Sequence, residues 1–235
     1  MTTQEALHQL KALGNEGTAR LLMKHGAKEP CWGVKIEGMK KLLKPLKGRQ
    51  DVALELFASG VFDAMYMAGL LADGSKMTRA QLDAWAQLNY GGGISSYTVP
   101  WVASESSYGF ELALEWIDSK HEFVAVSGWS TLGAIVAVTP DEKLDIEKFE
   151  KLLTRVLTQL HNAPNKVRYA MNSFVIAVGS HVLPLTEAAI DTARKLGPVN
   201  VDMNGTACKM PAADQHIAKV ADRGSLGKKR KTVKC

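Results

Sequence analysis

Residues 121–138 read HEFVAVSGWSTLGAIVAV, and the fold class turns on how they are read. Val, Ile and Ala dominate, so by composition the run passes for a buried strand. Its length argues otherwise, because buried strands usually run about 4–8 residues before a turn. Its neighbours argue the same way. DIEKFEKLLTRVLTQLHN (145–162) places apolar residues three and four apart, the stripe of an amphipathic helix. PNKVRYAMNSFVIAVGS (164–180) and LPLTEAAIDTARKLG (183–197) follow, with Pro164 and Pro184 where a first helical turn tolerates a missing amide proton.

The same spacing extends upstream. In TQEALHQLKALG (3–14), Ala6, Leu7, Leu10 and Leu13 make one apolar stripe, and a second helix is expected over about 15–25. VKIEGMKKLLKPLK, QDVALELFASG, VFDAMYMAGLLAD and TRAQLDAWAQL come next, separated by Gly, Asn, Asp or Ser, with Thr78 at the start of the last. Only VNVDM (199–203) looks extended. Ten or more short helices without a central strand pattern predict an all-α fold of stacked helix pairs, with a repeat of roughly 35–45 residues in the HEAT class.

The chain has 235 residues, 46% of them hydrophobic, which is enough apolar material for a real core. No apolar run reaches the length of a membrane span, and the start, MTTQEALHQLKALG, lacks the basic-then-apolar pattern of a signal peptide. A soluble, cytoplasmic protein with no membrane partner is expected. Cys31, Cys208 and Cys235 are too scattered for a disulfide framework, and six spread histidines show no ligand spacing, so neither metal nor cofactor is expected. Cys208 is expected to be buried and structural. Trp85, Trp101, Trp116 and Trp129 read as core packing, with Trp129 the one that could face a groove.

Net charge is +5, and it has an address. GSLGKKRKTVKC (224–235) holds Lys228, Lys229, Arg230, Lys231 and Lys234 and no acid, while the remaining 24 basic residues equal the 24 acidic ones. The expected division is a helical repeat domain over 1–223 and a basic, flexible tail over 224–235. Such a tail is solvated and meets polyanions. Lys35, Lys40, Lys41, Lys44 and Lys47 form a second basic row that either tracks phosphates or keeps the surface soluble.

At the middle stands YGGGISSYTVPW (90–101). Three consecutive glycines have three readings here. They make a plain loop before a helix capped by Ser95 or Ser96, they clear space for another chain to approach the backbone, or they offer amides as an anion cradle. The glycine–lysine–hydroxyl spacing of a nucleotide-binding loop is absent.

Taken in order, GTARLLMKHGAKEPCWGVKIEGMKKLLK (17–44), VFDAMYMAGLLAD (61–73) and LEWIDSKHEFVAVSGWSTLGAIV (114–136) resemble the HEAT-like-repeat DNA alkylation repair proteins, whose best-known members are alkylpurine DNA glycosylases. The resemblance covers most of residues 15–195. It implies a C-shaped solenoid holding duplex DNA without sequence preference in a concave basic face. It also implies a carboxylate and tryptophans that stabilise the cationic sugar as the damaged base leaves. Aligned on Val99-Pro100, the family's second tryptophan falls on Gly92 and its catalytic aspartate on Ser96. Aligned on Trp116-Ile117, its phosphate-gripping arginine falls on Val126, and the late tryptophan falls on Ser173. No Asp or Glu occurs between Asp83 and Glu105, so a shifted register does not restore the carboxylate.

The expected function is therefore DNA binding in the alkylation repair family without the usual glycosylase chemistry. Arg168, Asn172 and the tail residues Lys228, Lys229, Arg230, Lys231 and Lys234 are the candidate DNA contacts. Two alternatives stand beside it: a glycosylase using a different residue set, and a scaffold for a protein partner.

Overall fold

The structure, a computed structural model, describes residues 1–206 and 208–235. Among them there are thirteen α-helices and no strand. They are α1 (Thr3–Ala12), α2 (Glu16–Lys24), α3 (Ile36–Leu43), α4 (Gln50–Ala58), α5 (Phe62–Leu71), α6 (Arg79–Leu88), α7 (Val99–Ser104), α8 (Gly109–Trp116), α9 (Glu122–Val138), α10 (Ile146–Gln159), α11 (Asn165–His181), α12 (Thr186–Leu196) and α13 (Ala213–Asp222). Short 3₁₀ turns join several of them, and a π-helical turn, Ile94–Thr98, precedes α7. Residues 199–203 are coil, with no strand among the described residues for them to pair with. No single described helix is long and apolar enough to cross a membrane.

The chain divides into two compact units. The first comprises Met1–Leu112, Asn204–Thr206 and Lys234. Capping boxes start two of its helices: Thr2 with Glu5 opens α1, and Thr78 with Gln81 opens α6. Each satisfies two of the amides that a helix start leaves without partners. Its core pairs α4 with α5, burying Val52, Leu56 and Phe57 against Met65, Met67 and Ala68. Phe57 stacks on Trp85 with ring centroids 4.0 Å apart.

The second unit comprises Ala113–Met203 with residues 208–233 and Cys235. Its centre is the pair α9 and α11. The run that resembled a strand is a helix buried on nearly every side, with Val124, Val126, Trp129, Leu132 and Val136 all in the core. A helix that is apolar all round belongs inside. Gly128 makes this possible, since a Cβ there would stand 2.7 Å from the Ile117 amide nitrogen. The outer helix α10 buries Phe149, Leu152, Leu153 and Val156 along one stripe. Burying each of these large side chains stabilises by about 1.5–3 kcal/mol.

Candidate nucleic-acid interface

The three glycines resolve into a definite local structure. After α6, Asn89 turns back so that its amide donates to the Ala86 carbonyl at 2.6 Å, while its oxygen accepts from the Gly91 amide at 3.3 Å. Gly91 and Gly92 then take φ of +108° and +56°, where residues with a Cβ are strained. Gly92 lies against Gly26, which follows α2 and is itself at φ +96°. A Cβ on Gly92 would stand 3.0 Å from the Gly26 carbonyl carbon and 3.1 Å from the Ala27 nitrogen. The glycines thus admit a close main-chain approach, and the approaching chain is the protein's own.

The helix start differs from expectation. Gly93, at φ −65° and ψ −19°, is already helical, so neither Ser95 nor Ser96 caps the helix. Ser95 Oγ instead bonds backward to the Gly92 carbonyl at 3.2 Å. The anion-cradle reading loses one amide as well, because Gly91 N–H is committed to Asn89. Gly92→Ala should lower stability by about 1–3 kcal/mol through strain and contact with Gly26. Gly93→Ala, with its nearest neighbour 3.4 Å away on the Tyr66 ring, should cost less than about 1 kcal/mol. Urea denaturation followed by circular dichroism separates the two.

Beyond the turn, aromatic rings form a ladder inside the first unit. Tyr97, half exposed at 50%, tilts against Trp101 with centroids 5.8 Å apart. Trp101 meets the edge of Tyr66 at 5.3 Å, and Tyr66 leads to Phe62. Sequence reading passed over Tyr97; the available signal was a large ring among small hydroxyl residues just after the glycines. It passed over Asp63 too. That carboxylate is fully buried and accepts from the amides of Trp32 (2.6 Å), Gly33 (3.3 Å) and Val34 (2.7 Å). Asp63 therefore holds the loop before α3. Beside it, burial and then the Asp63 charge push the Cys31 thiol up to about 11, which keeps it protonated at neutral pH.

The positions aligned with the family's catalytic groups fall as follows. In the first unit, Gly92 and Ser96 are half-buried, and neither carries charge. In the second, Val126 is buried in α9, and Ser173 is half-buried on α11. Trp129 has no exposed surface, packs on Phe174 at 5.2 Å, and lies under Arg155 at the floor of a cavity that Ile117 and Met171 also line. Cys208 is exposed, contrary to the buried role expected for it.

The candidate cations separate into engaged and free. Asn172 is only 2% exposed, and its amide donates to the Pro211 carbonyl at 3.1 Å. It fastens the segment before α13 onto α11, so the expected outward orientation fails because that segment covers it. Arg168 is half-buried, with one long bond of 3.4 Å to Asn165.

In the tail, Lys229 Nζ donates to the Val136 carbonyl at 2.9 Å and pairs with Asp141 at 2.7 Å. Lys234 pairs with Glu105 at 2.8 Å. Neither is presented to solvent as the sequence reading expects, because each meets a carboxylate and an open carbonyl of a helix end. Lys228, Arg230 and Lys231 stay exposed. So do Lys35, Lys40, Lys41, Lys44 and Lys47 around α3, none of which joins an ion pair among the described residues. The described residues hold no cluster of three or more His, Cys, Asp or Glu suited to a metal ion.

This arrangement defines an all-helical repeat protein with exposed basic rows and an aromatic ladder. Residues 6–210 match the family described as "DNA alkylation repair enzyme", and the chain belongs to that family. It is 29% identical over 227 residues to an uncharacterized protein, Lin0241, of Listeria innocua, covering 92% of this chain and 95% of that one. It is 28% identical over 227 residues to another, Lmo0209, of Listeria monocytogenes, with the same coverage. A solved structure described as "a new family of proteins related to the HEAT-like repeat DNA glycosylases with affinity for branched DNA structures" matches with a TM-score of 0.93. That match has 34% identity and covers all of both chains. The fold is accordingly a HEAT-like helical repeat.

Proposed function

We propose that the protein binds DNA through exposed cations, without reading base sequence, and does not excise alkylated purines by the family's usual route. The unpaired lysine row around α3 carries this reading. Five ammonium groups within thirteen residues have no acidic partner, and releasing counterions from DNA phosphates is a favourable use for them. The likeness to a structure with affinity for branched DNA supports DNA, and branched DNA in particular, as the polyanion. The tail contributes through Lys228, Arg230 and Lys231, whereas Lys229 and Lys234 serve the fold.

The chemical half of the proposal rests on Ser96. A neutral hydroxyl supplies no negative charge to a sugar cation, and losing one preorganised electrostatic contact costs about 3–4 kcal/mol, roughly 100- to 1000-fold in rate. The work of such a protein is to hold DNA, in the cytoplasm, rather than to cut a bond in it.

Fluorescence anisotropy with a four-way junction and a plain duplex, across salt, tests the binding. For six duplex phosphate contacts, affinity should fall about a thousandfold between 50 and 200 mM salt. Binding that is absent at low salt, or indifferent to salt, contradicts the proposal. Free methylated purine released from alkylated duplex above the rate without protein overturns the claim about chemistry.

A further inference from the structure

The outward ring of the aromatic ladder has no role in the fold that demands its exposure. Tyr97 is half exposed while its neighbour Trp101 is 5% exposed. The wide π-helical turn over Ile94–Thr98 carries Tyr97 beyond the buried row of Ile94, Ser95 and Thr98. Turns of this kind recur at functional sites. The ring is backed by Trp101, and Trp101 by Tyr66. A side chain braced this way has little freedom left to lose when something lies on it.

The ground beside it is positive. Gly92 touches the turn after α2, and residues 24–29 there hold Lys24, His25 and Lys28 with one acid, Glu29. All three are exposed, and among the described residues neither lysine joins an ion pair. From Tyr90 to Ser104, on the other side, no acid occurs at all. A partner suited to both halves has an aromatic face joined to an anionic backbone. An unstacked nucleotide meets that description, and an apolar protein surface does not.

We propose that Tyr97 is a stacking platform for a base out of the double helix, with Lys24 and Lys28 taking the phosphates beside it. This rests on the DNA-binding reading above and deepens it: the cations around α3 take duplex of any sequence, while Tyr97 recognises interrupted stacking. A junction, a bulge or a strand end supplies such a base.

The test uses the full chain and two DNA probes, a plain duplex and the same duplex with one bulged 2-aminopurine. Wild type should bind the bulged probe more tightly and quench its fluorescence. Tyr97→Ala should lose about five- to a hundredfold on the bulged probe, the usual worth of one base–aromatic stack, and lose the quenching. It should bind plain duplex as wild type does. Tyr97→Phe, which keeps the ring, should restore both signals. Lys24→Gln with Lys28→Gln should weaken the bulged probe more than the plain duplex, because these two take the phosphates beside the unstacked base.

Equal binding of the bulged probe by wild type and Tyr97→Ala overturns the proposal and leaves the DNA-binding reading intact. So does a Phe variant as weak as Ala. A wild type that binds neither probe at low salt overturns the underlying reading instead. Melting curves accompany each variant, and the Phe variant distinguishes a lost stack from a lost fold.

Discussion

Replacing Asp63 with alanine should remove about 3–5 kcal/mol of stability, enough to leave a marginal protein largely unfolded. The carboxylate has no exposed surface and accepts from three successive backbone amides, of Trp32, Gly33 and Val34. Removing it leaves two buried amides and one part-buried amide without their acceptor, at about 1–3 kcal/mol for each buried one. The bond to Gly33, at 3.3 Å, is the weakest of the three and places the total below the upper sum. Asp63→Asn should recover little, because an amide offers one accepting oxygen and turns its own donors toward the same loop.

Urea denaturation gives the number directly. Thiol alkylation gives an independent one. With the Asp63 charge gone, Cys31 should ionise more readily and react faster with iodoacetamide below the unfolding transition. A loss under about 1 kcal/mol would mean that the loop is held by something else.

Removing residues 224–235 is the second large effect, and it falls on stability before it falls on DNA. In the second unit, Gly227 N–H donates to the Ser180 carbonyl at 2.9 Å, and Arg230 N–H to Ala137 at 2.7 Å. Lys229 Nζ reaches Val136, and a His181 ring nitrogen meets the Lys228 carbonyl at 2.9 Å. The accepting carbonyls of Val136, Ala137 and Ser180 belong to the last turns of α9 and α11, where the helix supplies no partner of its own. A cation there also opposes the negative end of the helix dipole.

Losing these contacts, together with the burial of Val233, should cost about 2–4 kcal/mol. For a chain of this size that lowers the melting temperature by roughly 4–16 °C. Changing only Lys228, Arg230 and Lys231 to serine should leave melting alone and weaken DNA binding. A truncated chain that melts like the full one refutes the capping role.

These two effects show which parts of the molecule the sequence discloses. Helix content is readable because it depends on spacing within one segment. The stripe of Phe149, Leu152, Leu153 and Val156 announces α10 without outside help, and the length of 121–138 settles α9. Charge is readable too, as a count. What a charge does is not, because its partner is distant in the chain: Lys229 finds Asp141, and Asp63 finds residues 32–34.

Asn172 shows the same limit. Its spacing from Arg168 places both on one helical face, but the segment around Pro211 closes over one of them. The capping serine failed for a local reason. Gly93 is already helical, so the hydroxyl two residues on has a carbonyl behind it to meet and no open amide ahead of it. The candidate site inherits these limits: the four positions aligned to the family's catalytic groups are visible as letters, while Tyr97 stands out only once its exposure is known.

The contact between Gly26 and Gly92 ties two distant positions into one unit of variation. A methyl group on Gly92 must push the opposite turn away, because it stands 3.0 Å from the Gly26 carbonyl carbon, whereas one on Gly26 meets Gly92 at an ordinary contact of 3.4 Å. The two positions share one boundary, and residues in contact vary together more than distant ones do. Drift at either place is opposed by its own positive φ, and at Gly92 by the facing turn as well.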